Sequence, residues 1–179
     1  MRIIGIVGYP ASGKSEFSKM VAKRGIPVIV MGDIIREKTQ ENGLKLTDEN
    51  IGVTAEELRK QLGMNAVAIL AAEKIKALSA PTVLIDGIRG DAEVKYFRSI
   101  YEHFTLITIK ATFSTRLARI KTRERSDDET TEEFLQRRDA REDSFGLAKA
   151  VKLADIEIQN ETERRMYEIS IRKTLEKLA

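Results

Sequence analysis

The 179-residue chain has no cysteine and no tryptophan, only three prolines, and one histidine. Without thiols it can build neither a disulfide framework nor a thiolate-ligated metal site. Few prolines and no cysteine, beside abundant Lys, Glu and Ile, fit a heat-adapted source. His103, the lone histidine, falls between a helix pattern and a strand pattern and reads as a surface turn residue. Long hydrophobic runs are also missing. The longest strongly apolar stretch, Ala66 to Ala72, is far short of the ~20 residues a membrane span needs. The N-terminal apolar run leads straight into Gly and Lys rather than a cleavage site, so a cytoplasmic location is expected. Charge of one sign is lacking too: 31 Lys+Arg stand against 28 Asp+Glu, a formal +3 that by itself says little about nucleic acid, which is not the expected partner. A charged fraction of 33% and a hydrophobic fraction of 42% describe a globular protein, and the length suits one domain over residues 1–179.

What is present alternates. Arg2 to Val7, Pro27 to Met31, Thr82 to Ile85 and Phe104 to Ile109 are short β-branched runs that read as buried strands, with Ile156 to Gln159 a weaker fifth. Helical patterns lie between them. Thr54 with Glu57 three residues later predicts a capping box opening TAEELRKQL. Asn65 to Leu78 is apolar over most of its surface and should lie deep against a sheet. After Asn160, Ile171, Leu175 and Leu178 mark the inner face of a C-terminal helix, with Met166 and Ile169 nearby. Strands alternating with helices imply βαβ units, hence a parallel sheet covered on both faces. One stretch differs: Arg116 to Asp143 is dense in both charges and nearly lacks large apolar residues after Ile120, the pattern of a solvated helix pair laced with ion pairs.

The first strand pattern runs into Gly8-Tyr-Pro-Ala-Ser-Gly-Lys-Ser15, the pattern G-x-x-x-x-G-K-[ST] between a strand and a helix. Glycines let the backbone turn tightly and aim several N–H groups at one point, and the helix after Gly13 adds its positive dipole end. An anion is stabilised there without a buried counter-charge. In this motif the lysine, Lys14, reaches the β- and γ-phosphates of a nucleoside triphosphate and the hydroxyl of Ser15 is a magnesium ligand. Gly8, Tyr9, Pro10, Ala11, Ser12, Gly13, Lys14, Ser15 and Glu16 therefore form the expected ATP cradle. Glu16 stands where many such loops have a threonine, and its carboxylate should point away along the helix.

Asp86 ends a strand pattern at the sheet's carboxyl edge, where open α/β sheets bind ligands, and a carboxylate there suits a magnesium–water contact opposite Ser15. Arg116, Arg119, Arg123 and Arg125 recur at spacings that place several on one side of a helix. Arg123 and Arg125 are the expected catalytic pair beside Lys14, held ready by Asp127 and Asp128, the alternative being a structural ion-pair role with Asp127, Asp128 or Glu129, and Arg119 is expected on the nucleotide. Asp33 either orients an acceptor and Arg36 or caps the helix that follows, the cap being the preferred reading.

These segments resemble, in order, those of the nucleoside-monophosphate kinases, adenylate kinase in particular. Gly8-x-Pro10-x-x-Gly13-Lys14 is similar to that family's loop, Gly32-Asp-Ile-Ile-Arg36 to its G-D-x-[LI]-R, Asp86-Gly-Ile-Arg-Gly90 to its D-G-F-P-R, and Arg125-Ser-Asp-Asp128 to the R-x-D-D of its lid. The chain departs from the family in lacking the proline of the third segment, in carrying Arg89 one residue early, and in its short lid. Ala154-Asp-Ile-Glu-Ile-Gln-Asn160 instead resembles a strand of the dephospho-coenzyme A kinases, and the whole chain is similar to a group described as adenylate-kinase-related. The resemblance implies a three-layer α/β P-loop kinase fold with a five-stranded parallel sheet in the order 2-3-1-4-5. It also implies an acceptor-binding insertion near 32–65 and a short helical lid near 115–143. ATP and Mg2+ would be the cofactors, and AMP the acceptor. Asp33, Arg36, Asp86, Gly87 and Arg89 would bind that acceptor, together with one of Arg137, Arg138 and Arg141, of which Arg138 is preferred. Transfer to dephospho-coenzyme A or another small molecule, and a nucleotide-responsive binding module, are the alternatives.

Overall fold

The computed structural model describes residues 1–122 and 131–178. Five strands form one parallel sheet: β1 (Arg2–Val7), β2 (Val28–Val30), β3 (Thr82–Ile88), β4 (Phe104–Lys110) and β5 (Ile156–Gln159), in the order β2-β3-β1-β4-β5. This is the expected order. β1 is central in the sheet, with Ile4 paired to Leu84 on one neighbour and Thr105 on the other, and helices covering both faces bury its residues above and below. That double burial is why RIIGIV reads as a continuous apolar run rather than an alternation. The register between β1 and β3 slips after the Ile6–Asp86 pair, where Gly87 takes a φ of 90°. The slip bulges Gly87 out of the ladder, which resumes with Val7 opposite Ile88 at the carboxyl edge of the sheet, so Asp86 lies within β3 just before its end.

Helices cover both faces. On one side α1 (Lys14–Ala22) and α9 (Arg164–Leu178) pack Phe17, Val21, Tyr167, Ile171 and Leu175 against Ile4, Ile6, Leu84 and Ile107. On the other, α4 (Ala66–Lys76), α5 (Asp91–Ile100) and α8 (Leu147–Lys152) cover Ile3, Val83, Ile85 and Leu106, joined by α2 (Met31–Glu41) and α3 (Asp48–Leu62). The small residues Ala68, Ala71 and Ala72 let α4 sit deep against this face, as its composition suggests. A third, smaller cluster joins Ile120 of α6 (Phe113–Lys121) to Phe134 and Leu135 of α7 (Glu132–Ser144).

Five local expectations need correction. Thr54 does not cap a helix; it lies buried inside α3, whose N-cap is Thr47, accepting from the Asn50 amide. Its hydroxyl instead receives a hydrogen bond from that of Thr39, 3.1 Å away, and joins α3 to α2. The second strand is shorter than PVIVM, because Met31 already begins α2. Asp33 therefore sits in the first turn of α2 rather than capping it, and its carboxylate takes the Arg36 guanidinium at 3.0 Å. In the C-terminal helix Met166 is exposed, and Tyr167 holds the inner position. Finally, the described part of the charge-rich run is a helix pair laced with ion pairs, as expected, but one face of it is not solvated: Arg116, Arg138, Glu142, Phe134 and Leu135 are all buried. His103 is exposed, as expected.

A buried ion pair links two of these layers. Arg59 of α3 donates to Glu93 of α5 at 2.8 Å and lies over the Phe145 ring at 4.1 Å, with both side chains at most 4% exposed. The second carboxylate oxygen of Glu93 accepts the Arg89 and Gly90 amides at 2.7 and 3.1 Å. Burial raises the Glu93 carboxyl pKa and lowers that of Arg59, so each needs the other. Removing one partner of such a pair leaves an uncompensated buried charge. Glu93→Ala should lose about 3 kcal/mol of unfolding free energy in urea titrations; a loss below about 1 kcal/mol would mean that water replaces the carboxylate there.

Candidate functional site

The expected phosphate cradle is built between β1 and α1. Two backbone positions explain its glycines. A side chain on Gly8, at φ 154°, would place its Cβ 2.5 Å from the Ile109 carbonyl oxygen, and one on Gly13, at φ 112°, would meet Asn160 Nδ2 at 2.2 Å. Both glycines are thus required by the neighbouring strand ends as well as by any anion in the loop. Asn160 donates from that same amide nitrogen to the Ser12 carbonyl at 2.8 Å. Arg119 of α6 donates to the carbonyls of Ser12 and Asn160 at 3.2 and 2.8 Å. Tyr167 donates to the Gly13 carbonyl at 3.1 Å. The loop's outward carbonyls are therefore bound from behind by α6, α9 and the end of β5, which leaves its amide side toward the cleft.

Lys14 folds back over this loop, its ammonium donating to the Gly8 and Tyr9 carbonyls. Enclosure lowers its pKa to about 8, while the negative charges of Glu142 and Asp86 oppose that shift. Ser15 follows at the mouth of the cleft. Asp86, 7% exposed, accepts the Ser18 hydroxyl at 2.7 Å, which tethers the end of β3 to α1. Ser15, Ser18 and Asp86 line the same cleft and offer hard oxygen donors, so the donor set fits a hard divalent cation such as magnesium. Glu16 does point away: its carboxylate pairs with Arg164 of α9 at 2.8 Å.

The cleft has a volume of about 700 Å³ and extends from this loop to the start of α2. Arg36 and Arg89 meet at its far end. A Cβ built on Gly32 would lie 3.2 Å from Nη1 of Arg36 and 3.9 Å from Nη2 of Arg89, so the two guanidinium groups converge over a position that carries no side chain. Asp33, Gly87 and Arg138 line the same space. Of the three arginines left open on α7, Arg138 thus faces the cleft. Arg141 instead forms a two-pronged pair with Asp48 of α3, both bonds 2.8 Å long. Arg123 and Arg125, with Asp127, Asp128 and Glu129, lie outside the described residues.

Three sets of contacts were not anticipated, although Tyr9 and Arg116 were singled out in the sequence and Glu142 alone was not. Tyr9 donates its hydroxyl to Asp143 of α7 at 2.8 Å, and burial with that carboxylate raises its pKa to about 12. Arg116 makes a two-pronged pair with Asp139 at 2.9 and 2.6 Å and stacks over Tyr9. Glu142, 4% exposed, enters the cleft from α7 and pairs with Arg89 at 3.2 Å and Arg138 at 3.6 Å. Its spacing of four residues from Arg138 was the one available signal; the contact with Arg89 bridges elements far apart in the chain. Burial raises the pKa of Glu142, but Arg89, Lys14, Arg138 and Arg141 together outweigh burial and hold it below the usual carboxylate range.

Comparison with known proteins bears on the fold and the family. A family model described as an AAA domain (AAA_18) matches residues 4–142, which include the loop, the cleft and most of α7. In fold the chain is similar to TT1252 from Thermus thermophilus, 19% identical with a TM-score of 0.66 over 99% of this chain and 98% of that one. It is also similar to the shikimate kinase of Aquifex aeolicus, 18% identical with a TM-score of 0.55 over 98% and 95%. The fold is that of the P-loop kinases. In sequence it is 49% identical over 175 residues to a UPF0200 protein of Methanoculleus marisnigri, covering 98% of this chain and 96% of that protein. It is 39% identical over 180 residues to a UPF0200 protein of Thermococcus onnurineus, covering 98% and 97%. A P-loop domain of the AAA_18 family, shared end to end with such relatives, makes this chain a member of the UPF0200 proteins.

Proposed function

We propose that this protein is an ATP-dependent phosphotransferase that moves the γ-phosphoryl group of ATP to a small phosphorylated acceptor, AMP in the first instance. The observation that carries the reading is the convergence of Arg36 and Arg89 over Gly32, in the same cleft as Lys14 and Ser15. A planar guanidinium donates two parallel bonds to phosphate, and two of them at a set distance from a triphosphate cradle are suited to hold donor and acceptor in line.

In this reading the amides of the Gly8–Ser15 loop and the Lys14 ammonium hold the β- and γ-phosphates. Ser15 and Asp86 hold magnesium, directly or through water, which would neutralise charge as it spreads over the transferring group. Arg36 and Arg89 grip the acceptor's phosphate, with Asp33 orienting Arg36. Arg138 faces the transfer region from α7, and Arg123 and Arg125, from the segment joining α6 to α7, are the proposed catalytic pair. The insertion near 32–65 and the lid near 115–143 would close to exclude water, which otherwise competes as acceptor. Among the described residues no helix is long and apolar enough to cross a membrane, which suits an enzyme of free nucleotides in the cytoplasm.

The segment resembling dephospho-coenzyme A kinases has an independent structural use. Asp155 accepts the Leu106 amide at 2.7 Å and Asn160 supports Ser12, so these residues brace β5 and the loop whatever the acceptor is. They do not favour that substrate over AMP.

Purified protein with magnesium and ATP should convert AMP to ADP, and Lys14→Ala should abolish this while leaving the circular dichroism spectrum unchanged. Arg36→Ala and Arg89→Ala should each raise KM for AMP roughly ten- to a hundredfold, the effect of one lost charge-assisted bond, with a much smaller change for ATP. Transfer to dephospho-coenzyme A but not AMP would reassign the acceptor. Binding of ATP without transfer to any acceptor would instead mark a regulatory module.

The pH dependence follows from Lys14. The free protein loses the ammonium proton as pH rises through about 8, whereas a bound phosphate favours the charged form and raises its pKa. Binding is therefore strongest below pH 8 and requires proton uptake above it, so the affinity for ATP should fall about tenfold per pH unit there. Calorimetry at pH 9 in two buffers of different ionisation enthalpy should register nearly one proton taken up, and none in Lys14→Met. Proton-independent binding at pH 9 would show that Lys14 keeps its charge in the free loop.

A further inference from the structure

We infer that Glu142 is a positioning residue that sets the orientation of Arg89, and with it Arg138, toward the phosphate cleft. The inference rests on the proposed reading of that cleft as a phosphate site, and it gives α7 a task that the ATP cradle does not explain.

Three observations carry it. The first is which edge of the guanidinium is used. Glu142 Oε1 lies 3.2 Å from Nε of Arg89 and 3.6 Å from Nε of Arg138. Nε is the inner edge of an arginine. Held there, Arg89 turns its terminal nitrogens away from Glu142, and Nη2 lies toward Gly32, where Arg36 also arrives. Phosphate needs this terminal fork. The second observation is burial: Glu142 is 4% exposed and Arg138 8%, so neither carboxylate nor guanidinium is a loose surface group. The third is the fixity of the element that carries the carboxylate. On α7, Asp139 is paired to Arg116 and Arg141 to Asp48, while Asp143 receives the Tyr9 hydroxyl. Glu142 is thus presented from a helix tied to α6, α3 and the phosphate loop at once.

The physical benefit is pre-organisation. A free arginine loses substantial rotamer freedom when it grips a ligand, and that loss weakens binding. An arginine already held by its inner edge has lost the freedom during folding. The carboxylate also offsets repulsion among Lys14, Arg89 and Arg138 before an anion arrives, since all three raise their charge density in one enclosed space.

The test combines phosphate binding with a direct view of the arginine. In Glu142→Ala the affinity for inorganic phosphate, measured by NMR titration, should fall about ten- to a hundredfold. The Arg89 Nε–H signal should lose its protection from exchange in the unliganded protein. Glu142→Gln keeps the side chain's shape but not the charge that makes these ion pairs, so it should fall between wild type and the alanine variant, with phosphate binding weakened about threefold to tenfold. Glu142→Asp, one methylene too short, should behave like the alanine variant and serves if the latter folds poorly. Because Glu142 acts through Arg89, the double variant Glu142→Ala/Arg89→Ala should lose no more than Arg89→Ala alone. Additive losses, phosphate binding in Glu142→Ala as tight as wild type, or an unchanged Arg89 signal would each overturn the assignment. A wild-type protein that binds no phosphate would overturn the phosphate reading of the cleft, while the exchange of the Arg89 signal would still decide whether Glu142 holds it.

Discussion

Positive charge gathered in an enclosed space at one end of a parallel sheet is the constraint around which this molecule is arranged. Lys14, Arg36, Arg89, Arg119 and Arg138 all border one cleft, and each needs a counterpart to remain there without a ligand. The counterparts come from different elements: carbonyls of the loop itself for Lys14, Asp33 for Arg36, Glu142 for Arg89, and the carbonyls of Ser12 and Asn160 for Arg119. Compensation of charge is therefore also what joins the layers at this end.

The pairs form a connected set. Arg116–Asp139 ties α6 to α7, Arg141–Asp48 ties α7 to α3, Arg59–Glu93 ties α3 to α5, and Glu93 in turn holds the amides of Arg89 and Gly90 at the end of β3. A displacement of α7 is thereby felt at α3 and at the loop after β3. In the proposed function these are the parts that approach the transferred phosphate and the acceptor, so their motions are coupled by geometry. Packing sharpens the coupling at two points: Gly52 leaves room for the Arg141 guanidinium, and a Cβ on Gly90 would lie 2.4 Å from the Phe145 carbonyl oxygen.

Much of the fold was legible locally. The β-branched runs located the central strands because strands buried on both faces must be apolar throughout, while the edge strands β2 and β5 are only partly buried and gave shorter or weaker signals. The glycine, lysine and serine of residues 8–15 identified the loop because backbone conformation and charge at such a loop admit few residue types. Boundaries were less legible. Thr54 has the sequence of a cap, yet burial against Thr39 places it inside α3, with the cap at Thr47. Met31 looked like strand and starts a helix. In the described part of the run from Arg116 to Asp143, mixed charge suggested a solvated helix pair, but arginines buried beside carboxylates form the same ion pairs and leave the same composition.

The amino-acid order alone determined the phosphate loop and the alternation of strand and helix, because each depends on conformational preferences and periodicities acting over a few residues, whereas the order of the strands came only from the resemblance to the nucleoside-monophosphate kinases. Only the tertiary structure decided which arginine meets which carboxylate. Arg138 and Arg141 are neighbours on one helix, yet one faces the cleft and the other Asp48, and Glu142 reaches Arg89 across more than fifty residues of chain. Electrostatic partners are chosen by distance and enclosure in space, quantities that a linear order of charges does not contain.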